Sequence, residues 1–215
     1  NETKKINTEA VLLAKKARDN VGIENIWIAG SMSSMAPFGS TQEVAEGNKI
    51  GDNYRELAET LAEAGVDLII AEMMRDIDNA QSILEAAFST GLPVWIGYSA
   101  MLANDGKRVI GWRWKNSLPT VDFRKLVEEI SLLGGEAAGI MHSQVRDTGP
   151  ALEILSEKWS GPKMAYAETG KLEKPDWSFK EIYPPKKYAD EMKTWIKKYG
   201  VQIIGGCCGT GPEHI

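Results

Sequence analysis

The chain has 215 residues, of which 43% are hydrophobic and 26% are charged, proportions that are typical of globular proteins and exclude a disordered, collagen-like or coiled-coil chain. Lys and Arg number 25 against 30 Asp and Glu, so the net charge is −5. Because no basic cluster exceeds pairs such as Lys186-Lys187, nucleic acid is excluded as an expected partner. The chain also lacks the roughly 20-residue apolar stretch that crosses a bilayer and the apolar core of a signal peptide. We therefore expect a single domain over residues 1–215, cytoplasmic and without a membrane partner.

Segments of helical periodicity alternate with short, β-rich apolar runs along the chain. A lone helix is predicted first, over Thr8–Asp19. Buried strands are predicted at Ile26–Gly30, Asp67–Glu72, Pro93–Ala100, Ala137–Met141, Lys163–Ala167 and Gln202–Gly205. The helices between them are predicted at about Asp52–Ala64, Ile77–Phe88, Val121–Leu133, Pro150–Lys158 and Pro185–Tyr199. We expect the stretch Gly170–Pro185 to be a loop over the carboxyl ends of the strands.

The alternation of strands and helices predicts an α/β fold with a mostly parallel sheet, because parallel neighbours need a crossover and a helix supplies it. A (β/α)8 TIM-type barrel has eight strands and about 250 residues, more than this chain provides. The chain starts at Asn1 rather than Met and stops at Ile215 directly after a motif. We therefore expect a barrel that lacks its first two strands and its last helix here. A complete open α/β sheet is the alternative.

The two cysteines of the chain, Cys207 and Cys208, are adjacent, which excludes a disulfide framework. They follow the last predicted strand, at the end of the sheet where barrel enzymes have their active sites. Neighbouring strand residues face opposite sides, so both thiols reach one ion only if the backbone bends, as Gly206 and Gly209 permit. A pair of buried apolar cysteines and a glycine-rich phosphate cradle remain as alternatives to a metal site.

The string Gly205-Gly206-Cys207-Cys208-Gly209-Thr210, with Pro212 and His214 behind it, resembles the carboxyl-terminal zinc motif of the homocysteine S-methyltransferases. Further segments match that family in the same order, and they are Ala29-Gly30-Ser31, Pro37-Phe38-Gly39, Ala62–Glu72, Gly91–Trp95, Tyr166 with Gly170, Trp177, Pro184-Pro185 and Trp195-Ile196. The resemblance implies a (β/α)8 zinc enzyme that moves a methyl group from an onium donor to the thiol of homocysteine, forming methionine.

The resemblance further implies a catalytic zinc with three protein ligands and the homocysteine sulfur as the fourth. Cys207 and Cys208 would be two of them. Where the family usually has Asn-Cys at the end of the sixth barrel strand, this chain has Met141-His142. Imidazole is a common zinc ligand, and Cys₂His with one open position is a known catalytic arrangement. We therefore predict that His142, Cys207 and Cys208 bind zinc and are catalytic, although a lone histidine is more often a surface or hydrogen-bonded residue.

Zinc binding would deprotonate the substrate thiol and hold it for attack on the methyl group. Two thiolates and a neutral imidazole cancel the charge of the zinc, whereas three thiolates leave a negative charge. We therefore expect a stronger Lewis acid, a less nucleophilic thiolate, and either weaker methyl transfer or a different thiol substrate. A second departure, Glu168 in place of the family's usual Asn, adds a charge near the pocket.

Glu72 follows an apolar run at a strand end, where the resembling family has a glutamate that binds the amino group of homocysteine. A carboxylate suits an ammonium group, so Glu72 is predicted to bind substrate, with an ordinary exposed acid as the alternative. Trp112, Trp114 and Trp177 are candidates for an aromatic cage around an onium donor, although tryptophans more often fill the core. His214 is expected to be structural, and Asp105-Gly106 signals a turn.

The expected partners are a small-molecule thiol and a methyl donor, and a homo-oligomer is left open. One alternative function is the homocysteine-activating module of a cobalamin-dependent methionine synthase, which shares these motifs but takes its methyl group from a corrinoid. Another is a non-catalytic relative that binds a ligand or a partner subunit. The substitutions at His142 and Glu168 keep that alternative open.

Overall fold

The computed structural model describes residues 2–23, 25–34, 48–113, 121–173 and 178–215. Its helices are α1 Glu2–Val21, α2 Asn48–Ala64, α3 Ile77–Phe88, α4 Phe123–Ser131, α5 Val145–Lys158 and α6 Pro185–Tyr199, followed by a short 3₁₀ turn at Pro212–His214. Its strands are β1 Ala29–Met32, β2 Leu68–Met74, β3 Val94–Tyr98, β4 Ala100–Leu102, β5 Val109–Gly111, β6 Ala137–Gln144, β7 Lys163–Glu168, β8 Lys171–Glu173, β9 Ser178–Lys180 and β10 Val201–Ile204.

The main sheet has six parallel strands in the order β1-β2-β3-β6-β7-β10. This confirms the predicted α/β fold with a parallel sheet. The order follows the chain from one edge of the sheet to the other, and within the described ranges it has no reversal of the kind that marks a doubly wound sheet. All six strands therefore end at the same edge, and residues far apart in sequence meet there.

The core lies between the sheet and the helices, and α3 shows how the sequence builds it. Asp76 caps this helix by accepting a hydrogen bond from the backbone N–H of Asn79 at 2.9 Å, which satisfies a donor that the first turn leaves open. Ile83 and Leu84 face inward and are fully buried. Each such side chain contributes about 1.5–3 kcal/mol relative to exposure. The predicted bounds of this helix are confirmed.

Several predicted boundaries are corrected. Strand β1 begins at Ala29 rather than Ile26, and β2 and β6 continue to Met74 and Gln144. Both longer strands have a register shift near their ends. Pairing resumes after the shift, so each strand extends beyond the polar residue, Glu72 or His142, at which the sequence indicates an end.

Helix α5 begins at Val145, five residues earlier than predicted from Pro150. Proline favours the first turn of a helix because it has no backbone N–H, which is why the sequence points to Pro150 as the start. Here Pro150 lies inside the helix instead, and the carbonyl one turn earlier gives up one helical hydrogen bond.

Two antiparallel hairpins were not predicted. The strand expected over Pro93–Ala100 ends at Tyr98, and β4 then pairs with β5 through the Asp105-Gly106 turn. The stretch expected to be a loop, Gly170–Pro185, contains the pair β8 and β9.

Some predicted features lie outside the described residues, namely the Pro37-Phe38-Gly39 segment, Trp114 and Trp177. Among the helices that are described, none is both long and apolar enough to cross a membrane.

Candidate metal centre

The structure brings the side chain of His142 together with those of the adjacent Cys207 and Cys208, which lie 65 and 66 residues further along the chain. The imidazole Nδ1 of His142 lies 3.8 Å from Cys207 Sγ and 3.6 Å from Cys208 Sγ, and the two sulfurs are 3.8 Å apart. A tetrahedral zinc with Zn–S near 2.3 Å and Zn–N near 2.0 Å separates two sulfurs by about 3.8 Å and a sulfur from a nitrogen by about 3.5 Å. The three donors therefore have the spacing that one tetrahedral ion requires.

Hydrogen bonds to β7 position the two cysteines just beyond the end of β10. The backbone N–H of Cys207 donates to Ala167 O at 3.1 Å, and the carbonyl of Cys208 accepts from Thr169 N–H at 2.8 Å. Thr210 N–H then donates back to Cys207 O at 3.1 Å, which closes a tight turn. Because the backbone turns here instead of continuing as a strand, adjacent side chains can face the same ion.

Two glycines make this turn possible, as the sequence predicts. Gly209 has φ +77°, and a Cβ there would lie 2.6 Å from the backbone nitrogen of Gly170. A Cβ on Gly206 would lie 2.1 Å from a methyl group of Thr210. A larger residue would therefore clash with the Thr210 side chain at position 206 or with the Gly170 backbone at position 209, and either clash would distort the cysteine turn.

The buried hydroxyl of Tyr188 connects β10 to β7 directly before the cysteines. It donates to Gly205 O at 2.8 Å and accepts from Ala167 N–H at 3.0 Å. The side chain is fully buried, and burial raises its pKa to about 12, so the hydroxyl stays protonated and keeps this donor. Tyr188 therefore fixes the position from which Cys207 and Cys208 extend.

His142 lies at an irregularity near the end of β6. Its φ is +41°, a conformation that residues other than glycine rarely adopt, and the register of β6 with β7 shifts between Met141 and Gln144. The preceding carbonyl, Met141 O, accepts hydrogen bonds from the buried hydroxyls of Ser99 at 3.1 Å and Ser143 at 2.8 Å. These bonds hold the bulge, and the bulge directs the imidazole toward the cysteines.

Trp112 packs against the imidazole from the side of the β4–β5 hairpin. The ring centroids of Trp112 and His142 are 4.8 Å apart with an interplanar angle of 66°, an edge-to-face contact. The guanidinium of Arg75 lies 5.7 Å from the centroid of the same indole. Trp112 thus lies at the site, where it limits the orientations open to His142.

Glu168 lies at the end of β7, beside the imidazole. Its Oε2 is 3.8 Å from His142 Nδ1, and both side chains are only 14% exposed. Burial raises the pKa of Glu168, the neighbouring His142 opposes that shift, and Asp147 adds to it. The carboxylate of Glu168 is therefore in contact with the imidazole of His142.

The two thiols share a hydrogen bond, and their pKa values move in opposite directions. Donation from Cys207 lowers the pKa of Cys208 to about 7, although burial opposes this shift. The same hydrogen bond, together with burial, raises the pKa of Cys207. Cys208 is therefore the more easily ionised sulfur of the pair. The ionised form, a thiolate, is the form that binds a metal.

Glu72 lies on β2 and is held by the neighbouring strand. Ser31 Oγ donates to Glu72 Oε2 at 2.5 Å, and the adjacent Met73 has φ +59°, so β2 has a bulge like that of β6. Glu72 is one of the charges that raise the pKa of Cys208. The predicted substrate residue thus lies close enough to the donor cluster for its charge to affect it.

Tyr166 completes this group of residues, and sequence reasoning missed its role. Its hydroxyl is buried and has no hydrogen-bond partner of normal geometry among the described residues. Burial raises its pKa well above the usual value, and Glu72 and Cys207 add to that shift. Tyr166 belongs to the segment that resembles the family, but the sequence does not show that its hydroxyl lies between these groups.

His214 is not part of the donor cluster. Its Nδ1 accepts from Gly211 N–H at 3.1 Å and its Nε2 lies 2.9 Å from Tyr183 O, so both ring nitrogens are occupied by backbone groups. This agrees with the structural role expected from the sequence.

A cleft of about 410 Å³ opens beside Glu168. Its walls come from the ends of β6 and β7, the start of α5 and the β8–β9 hairpin, and they include Gln144, Arg146, Thr169, Lys171 and Tyr183. Glu168 belongs to its lining, whereas none of the three donor residues is among the described residues that line it.

The family model described as homocysteine S-methyltransferase matches residues 1–215 of the chain. Homocysteine S-methyltransferase YbgG of Bacillus subtilis is 25% identical over an aligned length of 196, and the alignment covers 85% of this chain and 58% of that protein. Betaine–homocysteine S-methyltransferase 1 of Bos taurus is 24% identical over an aligned length of 235, and the alignment covers 98% of this chain and 52% of that protein. The chain therefore spans little more than half the length of these relatives.

Among solved structures, the apo form of the homocysteine methyltransferase MmuM from Escherichia coli superimposes with a TM-score of 0.68 at 20% identity, over 99% of this chain and 71% of that chain. Its metallated form gives a TM-score of 0.66 at 20% identity, over 98% of this chain and 68% of that chain. At this level of identity the likeness shows a shared fold.

Proposed function

This chain belongs to the homocysteine S-methyltransferase family, and from that premise we propose that it transfers a methyl group to the thiol of homocysteine. The observation that supports this most is the cluster of His142, Cys207 and Cys208, whose donor atoms all lie within 4.8 Å of one another. It lies at the carboxyl edge of the parallel sheet, where α/β enzymes bind their ligands.

We infer that these residues hold a zinc ion. Two thiolates and one imidazole are a donor set that zinc accepts while keeping a fourth position for a substrate, and the spacing of the donors fits a tetrahedral ion. When bound, the ion would lower the pKa of an incoming thiol so that a thiolate forms at neutral pH. One of the MmuM structures that share this fold is a metallated form, which supports a metal in this chain.

The protein side chains would orient the amino acid substrate. Glu72, already fixed by Ser31, places a carboxylate for the substrate's ammonium group. The buried hydroxyl of Tyr166, whose pKa is raised by burial and by nearby Glu72 and Cys207, would stay protonated and donate either to Glu72 or to a polar group of the substrate. These groups would hold the thiol of homocysteine close to the donor cluster.

The methyl donor is proposed to be a small onium compound, since a methyl on a positively charged sulfur or nitrogen is a good electrophile. The bovine relative is named for betaine, a quaternary ammonium donor for that protein. In this chain the carboxylate of Glu168 lies beside the cluster and is only 14% exposed, and a carboxylate favours a cation over an anion. The predicted cytoplasmic location stays a prediction.

We also infer that the six parallel strands are consecutive strands of a (β/α)8 barrel. Their spatial order, which follows the chain from β1 to β10 without reversal, supports this, because each strand of such a barrel lies beside the one before it. That two strands and a helix of the barrel lie outside this chain stays a prediction.

The experiment is methionine formation by the full chain, loaded with zinc, from homocysteine and each of S-methylmethionine, S-adenosylmethionine and betaine. Transfer from any of them without a cobalamin protein is the expected result, and it would exclude the corrinoid-dependent alternative. The variant Cys208→Ala should abolish transfer, whereas Lys186→Ala on exposed α6 should not. If zinc-loaded protein transfers no methyl group from any donor, the proposed activity is wrong.

A further inference from the structure

The two positions at which this chain departs from the family pattern are in contact with each other. His142 and Glu168 come from adjacent parallel strands, β6 and β7, and the imidazole Nδ1 lies 3.8 Å from the carboxylate Oε2. Nδ1 is also the ring nitrogen that faces both thiols. One substitution removes a negative charge from the donor set, and the other adds a negative charge beside it.

Glu168 is not itself one of the clustered donors. Among the described residues, only His142, Cys207 and Cys208 form a group of three whose donor atoms lie within 4.8 Å of one another. The carboxylate of Glu168 touches the imidazole but is outside that group. An effect of Glu168 on a bound ion would therefore come through its charge or through the imidazole that it touches.

The surroundings of Glu168 make that charge effective. The side chain is only 14% exposed, so water and salt screen it poorly. The titratable groups that face it are His142 on β6, Asp147 on α5 and Cys208 beyond β10. Asp147 is 3% exposed and lies 3.5 Å from the guanidinium of Arg146, which lines the cleft beside Glu168 together with Lys171.

We infer that Glu168 is a positioning residue whose carboxylate supplies the negative charge that His142 does not, so that this Cys₂His cluster has the net charge of a three-thiolate site. Two thiolates and a neutral imidazole would just cancel a zinc ion, and the adjacent carboxylate makes the assembly negative. This inference rests on the proposed function, and it replaces the expectation that the histidine weakens methyl transfer. A negative assembly keeps a bound thiolate basic and therefore nucleophilic.

The test measures zinc affinity by competition with a chromophoric chelator in the full chain and its variants. Glu168→Gln, which keeps the shape of the side chain, should weaken zinc binding about 10- to 100-fold, the usual effect of losing a partner next to a ligand. Glu168→Asp should retain most of the affinity. Glu153→Gln, which removes an exposed carboxylate from α5, is the matched control and should bind like the wild type.

A variant at position 142 separates charge from simple orientation of the imidazole. If Glu168 acts by charge, Glu168→Gln weakens zinc binding by a similar factor in the His142→Cys background, and the double variant returns toward wild-type affinity. If Glu168 only orients the histidine, its replacement has no effect once the histidine is gone, and the charge account is wrong.

A second readout follows the thiol directly. In cobalt-substituted protein, the sulfur-to-cobalt absorption on adding homocysteine should develop at lower pH in Glu168→Gln than in the wild type, because less negative charge opposes thiolate formation. Equal zinc affinity and equal pH dependence in the wild type, Glu168→Gln and Glu153→Gln would overturn the inference while leaving the zinc site intact. A wild-type protein that binds no zinc would instead overturn the proposed function, and this inference with it.

Discussion

The replacement Tyr188→Phe tests how the end of β10 is held, because it removes one buried hydroxyl and changes little else. That hydroxyl accepts from Ala167 N–H at 3.0 Å and donates to Gly205 O at 2.8 Å. The Ala167 carbonyl keeps a partner in Cys207 N–H. Phenylalanine would therefore leave one backbone N–H and one carbonyl without their side-chain partner.

The cost follows from the burial of these two groups. A buried N–H left unpaired costs about 1–3 kcal/mol, and losing a hydrogen bond to the partly buried carbonyl costs about 0.5–1.5 kcal/mol. The free energy of unfolding should therefore fall by about 2–4 kcal/mol. For a chain of this length, that corresponds to a drop in Tm of roughly 5–15 °C.

The same change should also reach the metal site. Gly205 lies two residues before Cys207, so a looser end of β10 leaves the thiols less well placed toward His142, and zinc affinity should fall about tenfold or more. Urea unfolding and chelator competition measure the two effects. The control Tyr183→Phe removes a hydroxyl that bonds to Glu191 at 3.3 Å and should change stability by less than about 0.5 kcal/mol. If Tyr188→Phe matches that control in both assays, the hydroxyl does not hold the site.

Other changes separate substrate binding, backbone geometry and surface electrostatics. Glu72→Gln should raise the KM for homocysteine about 10- to 100-fold, by loss of a charge-assisted hydrogen bond, with zinc content unchanged; a normal KM in steady-state assays would contradict its role. Gly209→Ala should destabilise the chain more than Gly106→Ala in urea unfolding, because both have positive φ but only Gly209 approaches another backbone; equal losses would argue against a tight turn. Hydrogen bonds from the backbone and side chain of Arg108 lower the pKa of Asp105 to about 2, below its unfolded value of about 3.9. The wild type should therefore be more stable than Asp105→Asn by its full margin above about pH 5, and this margin should shrink as the pH falls toward about 2. A difference in unfolding midpoints that does not change with pH would contradict this.

Local sequence signals predict most of the fold because they reflect short-range physics. The buried strands appear as apolar runs, and α3 is bounded by a capping Asp76 and by Gly91, whose φ of +74° ends the helix. The hairpins were missed because β4 and β5 are only three residues each. Runs so short have no periodicity to detect.

The site was predictable only in part, since its geometry depends on contacts between strands. The motif at Cys207-Cys208 and the resemblance at His142 indicate the donors, and the structure places them together. The bulge that turns His142, the bond from Ser31 to Glu72 and the buried hydroxyl of Tyr166 leave no local signal. Ser31 and Glu72 are 41 residues apart in the chain, so only the sheet register shows that they meet.

The measurement that tests the central claim most directly is the zinc content of the protein purified under reducing conditions without chelator, compared with that of His142→Ala. We expect about one zinc per chain in the wild type and a large loss in the variant, because the imidazole provides one of three ligands. Full zinc in the variant would show that His142 is not a ligand. No zinc in the wild type, even after reloading, would contradict the metal centre and favour a non-catalytic member of the family.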